Sequence, residues 1–141
     1  MSVKAFLDTN IFICSVDHKD PRKASIAHDL LRDCMVNHTG VISFQVVQEF
    51  FNAAARHFPT RFSSEDAVGY LTTILRPFLA VHSSVGLYVE AIGIKSRHRL
   101  SWYDSLIVAA ASEAKCSVLY SEDFQHGSKI NGVRIQNPFI A

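Results

Sequence analysis

The sequence predicts an α/β fold with a mainly parallel central sheet flanked by helices on both sides. Three observations lead there. Short apolar runs alternate along the chain with longer stretches of helical periodicity, the order of elements that builds a covered parallel sheet. One late stretch, Leu106 to Ala111, is apolar almost all round, as a deeply buried helix is. And 141 residues suffice for one domain that buries roughly two-thirds of its unfolded surface.

Val3, Ala5, Phe6 and Leu7 make a first short buried strand, and the chain turns polar at Asp8-Thr9-Asn10. Ile11 to Cys14 begins a short helix, broken by the loop Asp17 to Pro21. Pro21 opens a second helix, where its missing N–H does no harm, with Ile26, Leu30, Leu31 and Cys34 as its apolar stripe and Asn37 to Gly40 as its end. Val41-Ile42 is a second strand. Ser43 caps a third helix to about His57, closed by Phe58-Pro59, with Val47, Phe50, Phe51, Ala54 and Phe58 facing the core. A fourth helix, capped by Ser63 or Ser64, runs through Leu75 and stops before Pro77. Phe78 to Val81 is a third strand, and Ser84 opens a fifth helix from Val85 to about Arg97. The sixth starts near Ser101 and ends at Lys115. Ser117 to Tyr120 is a fourth strand, and Val133 to Ile135 a last one.

Composition narrows the function. Hydrophobic residues at 48% and charged residues at 19% describe an ordinary globular chain. A net charge of +1 provides no global basic field, so a nucleic-acid partner has to be held by a local patch or through metal ions. Lys19, Arg22, Lys23, Arg97, His98 and Arg99 could supply basic edges, or be ordinary surface charge. Cys14, Cys34 and Cys116 lie far apart in apolar contexts, which fits free thiols in a reducing compartment. The first apolar run is too short for a signal peptide, and no window reaches a transmembrane length. A cytoplasmic protein without membrane association is expected.

Chemistry concentrates in acids. Asp8 follows the first strand, where open α/β sheets bind ligands, although Asp-Thr-Asn also makes good turns. Asp104 falls on the face of Ile107, Val108 and Ala111 at the first turn of the buried helix. A capping pair of Ser101 and Asp104 would account for its position but not for its place in a core-facing stripe. Glu49 lies opposite the apolar stripe of its helix, among Gln45, Gln48, Asn52 and Arg56; such a face is solvated or lines a cleft. Asp123, with Glu122 as a competitor, follows the fourth strand and leaves the sheet at the same edge as Asp8. The seven histidines are scattered, without H-x-x-x-H spacing, and no phosphate-loop, dinucleotide or nucleophile-elbow motif occurs.

Taken in order, Asp8-Thr9-Asn10, Gln48-Glu49-Phe50, Trp102 to Ile107 and Ser121-Glu122-Asp123 resemble the motifs of PIN-domain nucleases. The resemblance extends over essentially the whole chain and is to their small stand-alone members, the VapC-type toxins of toxin–antitoxin pairs. It implies a single PIN-like nuclease domain over residues 1–141 and a metal-dependent endoribonuclease using Mg²⁺ or Mn²⁺. Asp8, Glu49, Asp104 and Asp123 match the acidic quartet that holds metal and carries catalysis. Asn10 and Ser121 match supporting polar residues, and Glu122 leaves the fourth acid open. It further implies an RNA substrate, a homodimer, and a cognate antitoxin whose C-terminal segment blocks the cleft. The competing expectations are a non-catalytic PIN-like RNA-binding module, and a housekeeping RNA or DNA nuclease without an antitoxin.

Overall fold

Residues 3–58 and 62–140 are described by a computed structural model; Pro59, expected to close the third helix, lies outside them. Among them are six strands in the order β3-β2-β1-β4-β6-β5. Strand β1 (Ala5–Leu7) runs parallel to β2 (Gly40–Ser43) on one side and to β4 (Val118–Tyr120) on the other. Strand β3 (Leu79–Val81) extends the sheet beyond β2, and β6 (Val133–Gln136) extends it beyond β4, both in parallel. Successive strand residues point to opposite faces, and Ala5, Phe6 and Leu7 are all buried. Both faces of the central strand are therefore covered, as expected.

The helices are α1 (Thr9–Val16), α2 (Pro21–Asn37), α3 (Phe44–His57), α4 (Ser64–Tyr70), α5 (Val85–His98) and α6 (Trp102–Glu113). Helix α1 packs against α2 and α3, and α5 against α6. The expected burial of α6 holds, with every residue from Ser105 to Ala111 buried. In α2, Asp20 accepts from the Lys23 N–H and Pro21 takes the first turn. Its C-cap, His38, is left-handed at φ 56°.

Four details depart from expectation. The sheet gains a two-residue strand, β5 (Lys129–Ile130), antiparallel to β6. Asn131 and Gly132 between them both have positive φ, 53° and 83°, the tight hairpin turn for which Asn-Gly is the preferred pair. The fourth helix does not continue regularly to Leu75: after α4 the chain widens into a π turn over Leu71–Leu75, then tightens to a 3-10 turn over Arg76–Phe78. Pro77, which lacks an N–H, falls inside that last turn. Ser43 takes the N-cap position of α3, but its hydroxyl makes no capping bond. The face of α3 that packs inward is Val46, Phe50 and Ala54, with Gln45 also buried; Val47 and Phe51 are only partly buried.

Two contacts show how tightly the core fits. The fully buried Phe50 ring stacks on Tyr70, with centroids 4.6 Å apart. Gly40 faces the ring of Phe78 so closely that a Cβ there would stand 2.7 Å from two ring carbons.

Candidate functional site: an acidic cleft at the strand ends

Pairing of β1 with β4 assembles the site. The Asp8 N–H donates to the Tyr120 carbonyl at 3.1 Å, which brings Asp8 and Ser121 side by side where the two strands end. Asp8 is buried, 5% exposed. Its Oδ1 accepts from the Thr9 N–H at 2.7 Å as the N-cap of α1, and its Oδ2 accepts from the Ser121 hydroxyl at 2.7 Å. Ser121 Oγ accepts in turn from the Asp123 N–H and from Asn10 Nδ2. Asn10 Nδ2 also donates to Asp123 Oδ2 at 3.1 Å, and Asn10 Oδ1 accepts from the Glu122 N–H. One residue of α1 thus ties down both halves of the Glu122-Asp123 pair.

Glu49 enters from α3. Its Oε1 accepts from the Thr9 hydroxyl at 2.8 Å, and its Oε2 from Gln45 Nε2 at 3.3 Å. Gln45 also donates to the Tyr103 carbonyl at 3.1 Å, linking α3 to the turn that leads into Asp104. Ser101 caps α6 by accepting from the Asp104 N–H at 3.1 Å. The capping interaction is therefore real, and it coexists with a carboxylate that faces the cleft.

Asp8, Glu49, Asp104 and Asp123 line one open cleft of about 340 Å³. The remaining walls include Thr9, Asn10, Asn52, Arg56 and His57. Glu122 does not line it: its carboxylate pairs with Lys23 at 2.6 Å. Neither Thr9 as a partner of Glu49 nor Arg56 and His57 as basic groups of the cleft is singled out by the sequence. The pattern was there, since Gln45, Glu49, Asn52 and Arg56 recur at helical spacing. Periodicity alone places them on a polar face without saying what that face opposes.

The sequence matches the PIN domain family over residues 5–128. The chain belongs to the PIN domain family.

No sequence relative of curated function matches it. Solved structures with the same fold include a toxin–antitoxin complex from Klebsiella pneumoniae, at 18% identity and TM-score 0.69, covering 96% of this chain and 98% of that one. A DNA-bound VapBC from Salmonella typhimurium has 16% identity and TM-score 0.70, with 97% and 99% coverage. Mycobacterium tuberculosis VapC20, described as a sarcin-ricin loop cleaving toxin, has 19% identity and TM-score 0.63, with 85% and 90% coverage. The fold of this PIN domain is thus that of VapC-type toxins.

The acids of this PIN domain disturb one another. Burial pushes the Asp8 carboxyl up from 3.8 to about 7; the Ser121 and Thr9 hydrogen bonds pull it back, and the charges of Asp123 and Glu49 add to the rise. Burial also raises Asp104, against a hydrogen bond from Ser101 and with repulsion from Asp123. Among the described residues, no three of His, Cys, Asp or Glu are gathered tightly enough to hold a metal ion by themselves. The donor set nevertheless fits a hard divalent cation, being all oxygen and able to offer several negative charges to one space. Mg²⁺ in particular takes one or two carboxylates and keeps several waters, so it does not need a closed cage.

Proposed function

We propose that this PIN domain is a metal-dependent endoribonuclease that cleaves RNA phosphodiester bonds, and that it is the toxin of a type II toxin–antitoxin pair. The observation that carries the reading is the meeting of four carboxylates from four separate segments of the chain in one cleft, with Asp8 buried among them. Four acids that repel are a costly arrangement for a structural role, and a divalent cation relieves it. Asp8, Asp104, Asp123 and Glu49 would hold Mg²⁺ or Mn²⁺, which when bound supplies Lewis acidity toward water and phosphate.

The chain's own residues do the positioning. The Thr9 N–H and the Ser121 hydroxyl fix both oxygens of Asp8. Asn10 orients Asp123, and Thr9 with Gln45 orients Glu49. At the wall of the cleft Arg56 offers positive charge and donors to a phosphate, and His57 a ring nitrogen beside it. An RNA strand is thereby directed to the acids by two side chains rather than by net charge.

Residues 1–141 act as one nuclease unit in this reading, in the cytoplasm; no helix among the described residues is long and apolar enough to cross a membrane. The toxin–antitoxin titles of the structures that share the fold support a cognate antitoxin as partner, and a homodimer is part of the same proposal. A reading frame beside this one that encodes a short DNA-binding protein is the expected genetic context.

The loose spacing of the acids gives a non-catalytic RNA-binding module its one foothold. Purified protein incubated with structured and unstructured RNA separates the two. Cleavage that stops in EDTA, returns with Mn²⁺ and is absent from Asp8→Asn supports the nuclease. RNA binding without cleavage in any divalent metal supports the module.

A further inference from the structure

Glu122 neighbours an acid of the cleft yet faces away from it. Its Oε2 takes an ion pair from Lys23 Nζ at 2.6 Å, joining residues 99 apart in sequence. The Cys14 thiol lies 3.8 Å from its Oε1. Lys23 is held in its turn, its ammonium 5.3 Å from the centre of the Phe139 ring. The neighbouring Arg22 guanidinium donates to the Phe139 carbonyl. The two partners of the ion pair keep only 33% and 26% of their side-chain surface exposed, unlike freely solvated pairs, which contribute little.

The segment that carries Asp123 is therefore gripped from two sides. Asn10 of α1 holds the Glu122 N–H and the Asp123 carboxylate. The first turn of α2 holds the Glu122 side chain through Lys23. Asp123 itself is exposed and stands on a loop, so its carboxylate is only as well placed as the backbone beneath it. A metal-binding constellation has to be held to about half an ångström.

We propose that Lys23 and Glu122 form a latch that positions Asp123, which makes Glu122 a positioning residue and not a ligand. The latch rests on the proposed function in so far as Asp123 binds the cation. It predicts that the ion pair, which does not line the cleft, controls cation affinity through loop order.

Calorimetric titration of EDTA-stripped full chain with Mn²⁺ tests this, with hydrogen exchange at the Glu122 and Asp123 amides of the metal-free protein as a second readout. Lys23→Met and Glu122→Gln are each expected to weaken Mn²⁺ binding roughly tenfold, as loss of outer-shell partners does, and to speed exchange at both amides. Lys23→Arg should stay near the parent, and the exchange of charges in Lys23→Glu with Glu122→Lys should recover most of the affinity. A merely structural ion pair would lower the melting temperature and leave affinity unchanged, which overturns the latch. Tighter binding in Lys23→Met would mean that a freed Glu122 is itself a ligand, which also overturns it. Asp123→Asn separates the two levels. Parental affinity in that variant overturns the reading of the cleft, and the latch with it; lost affinity there beside parental affinity in Lys23→Met overturns the latch alone.

Discussion

Asp8→Asn probes the cleft through stability, independently of turnover. The Asp8 carboxyl is raised from 3.8 to about 7, chiefly by burial. Across that window the native protein keeps a proton that the unfolded chain has released, so stability is fully present below the unfolded value and drains away as pH rises through the folded one. The slope is about 1.4 kcal/mol per pH unit, and the whole window is worth about 4 kcal/mol. The substitution removes this titration but disturbs the hydrogen bonds. Ser121 Oγ already accepts from Asn10 and from the Asp123 N–H while it donates to Asp8, which uses both of its lone pairs. An amide at position 8 must turn its NH₂ toward either Ser121 or the Thr9 N–H, and losing that bond costs about 1–3 kcal/mol. In EDTA at about pH 8 the variant should therefore be more stable than the parent by roughly 1–3 kcal/mol. Near pH 5 the order should reverse. Urea denaturation of both proteins in EDTA, between about pH 4.5 and 8.5, gives the difference in unfolding free energy, in which titrating groups not coupled to Asp8 cancel. The hydrogen-bond cost shifts that difference by a constant and leaves its slope alone. A difference that stays flat from acid to neutral pH would refute the raised carboxyl and the desolvation argument beneath it.

Ser121→Ala removes the hydrogen bond that most strongly holds Asp8 down, so an NMR titration of the Asp8 carboxyl should move further upward; no movement would contradict the pairing. Asp104→Asn keeps the Ser101 cap, which uses the Asp104 backbone N–H, and should change stability by less than about 1 kcal/mol. It should also abolish the Mn²⁺-induced rise in melting temperature and nearly all RNA cleavage. Glu49→Gln should behave similarly, because Thr9 can still donate to its oxygen. Gly40→Ala pushes a methyl to 2.7 Å from the Phe78 ring and should cost about 1–3 kcal/mol by overpacking; thermal denaturation at parental temperature would show that the ring yields freely.

Most of the sheet and helix order is legible in the sequence because each element carries its own periodicity and stop. Pro21, Ser84, Ser101 and the apolar run of α6 needed no tertiary information. What escaped was set by neighbours. The core face of α3 shares Phe50, Ala54 and Phe58 with the stripe read off hydrophobicity, but Phe44 to His57 is apolar on more than one side, and packing buried Val46 while leaving Val47 and Phe51 at the edge. Strand β5 was missed although Asn131-Gly132 is a strong turn pair, because two residues are too few for an alternation to show. Asp8 and Asp104 stood out through local patterns that end in an acid. Glu49 did not, and only the resemblance to a family raised it. The choice between Glu122 and Asp123 was beyond any spacing argument, since it depends on Lys23, a residue 99 positions away.

The middle place of β1 in the sheet bears on how the protein is made. Its neighbours come from around residue 40 and around residue 118, so β1 can meet β2 early but waits for about a hundred further residues before β4 is made. At about 5–20 residues per second that wait lasts roughly 6 to 20 seconds. Throughout it Asp8 has no Ser121 to hold it, no Asp123 beside it and, for most of the time, no Asp104 across from it. A polypeptide released before Val118 lacks both Ser121 and Asp123, so any activity that depends on the complete cleft begins only once β4 and the loop beyond it have been made.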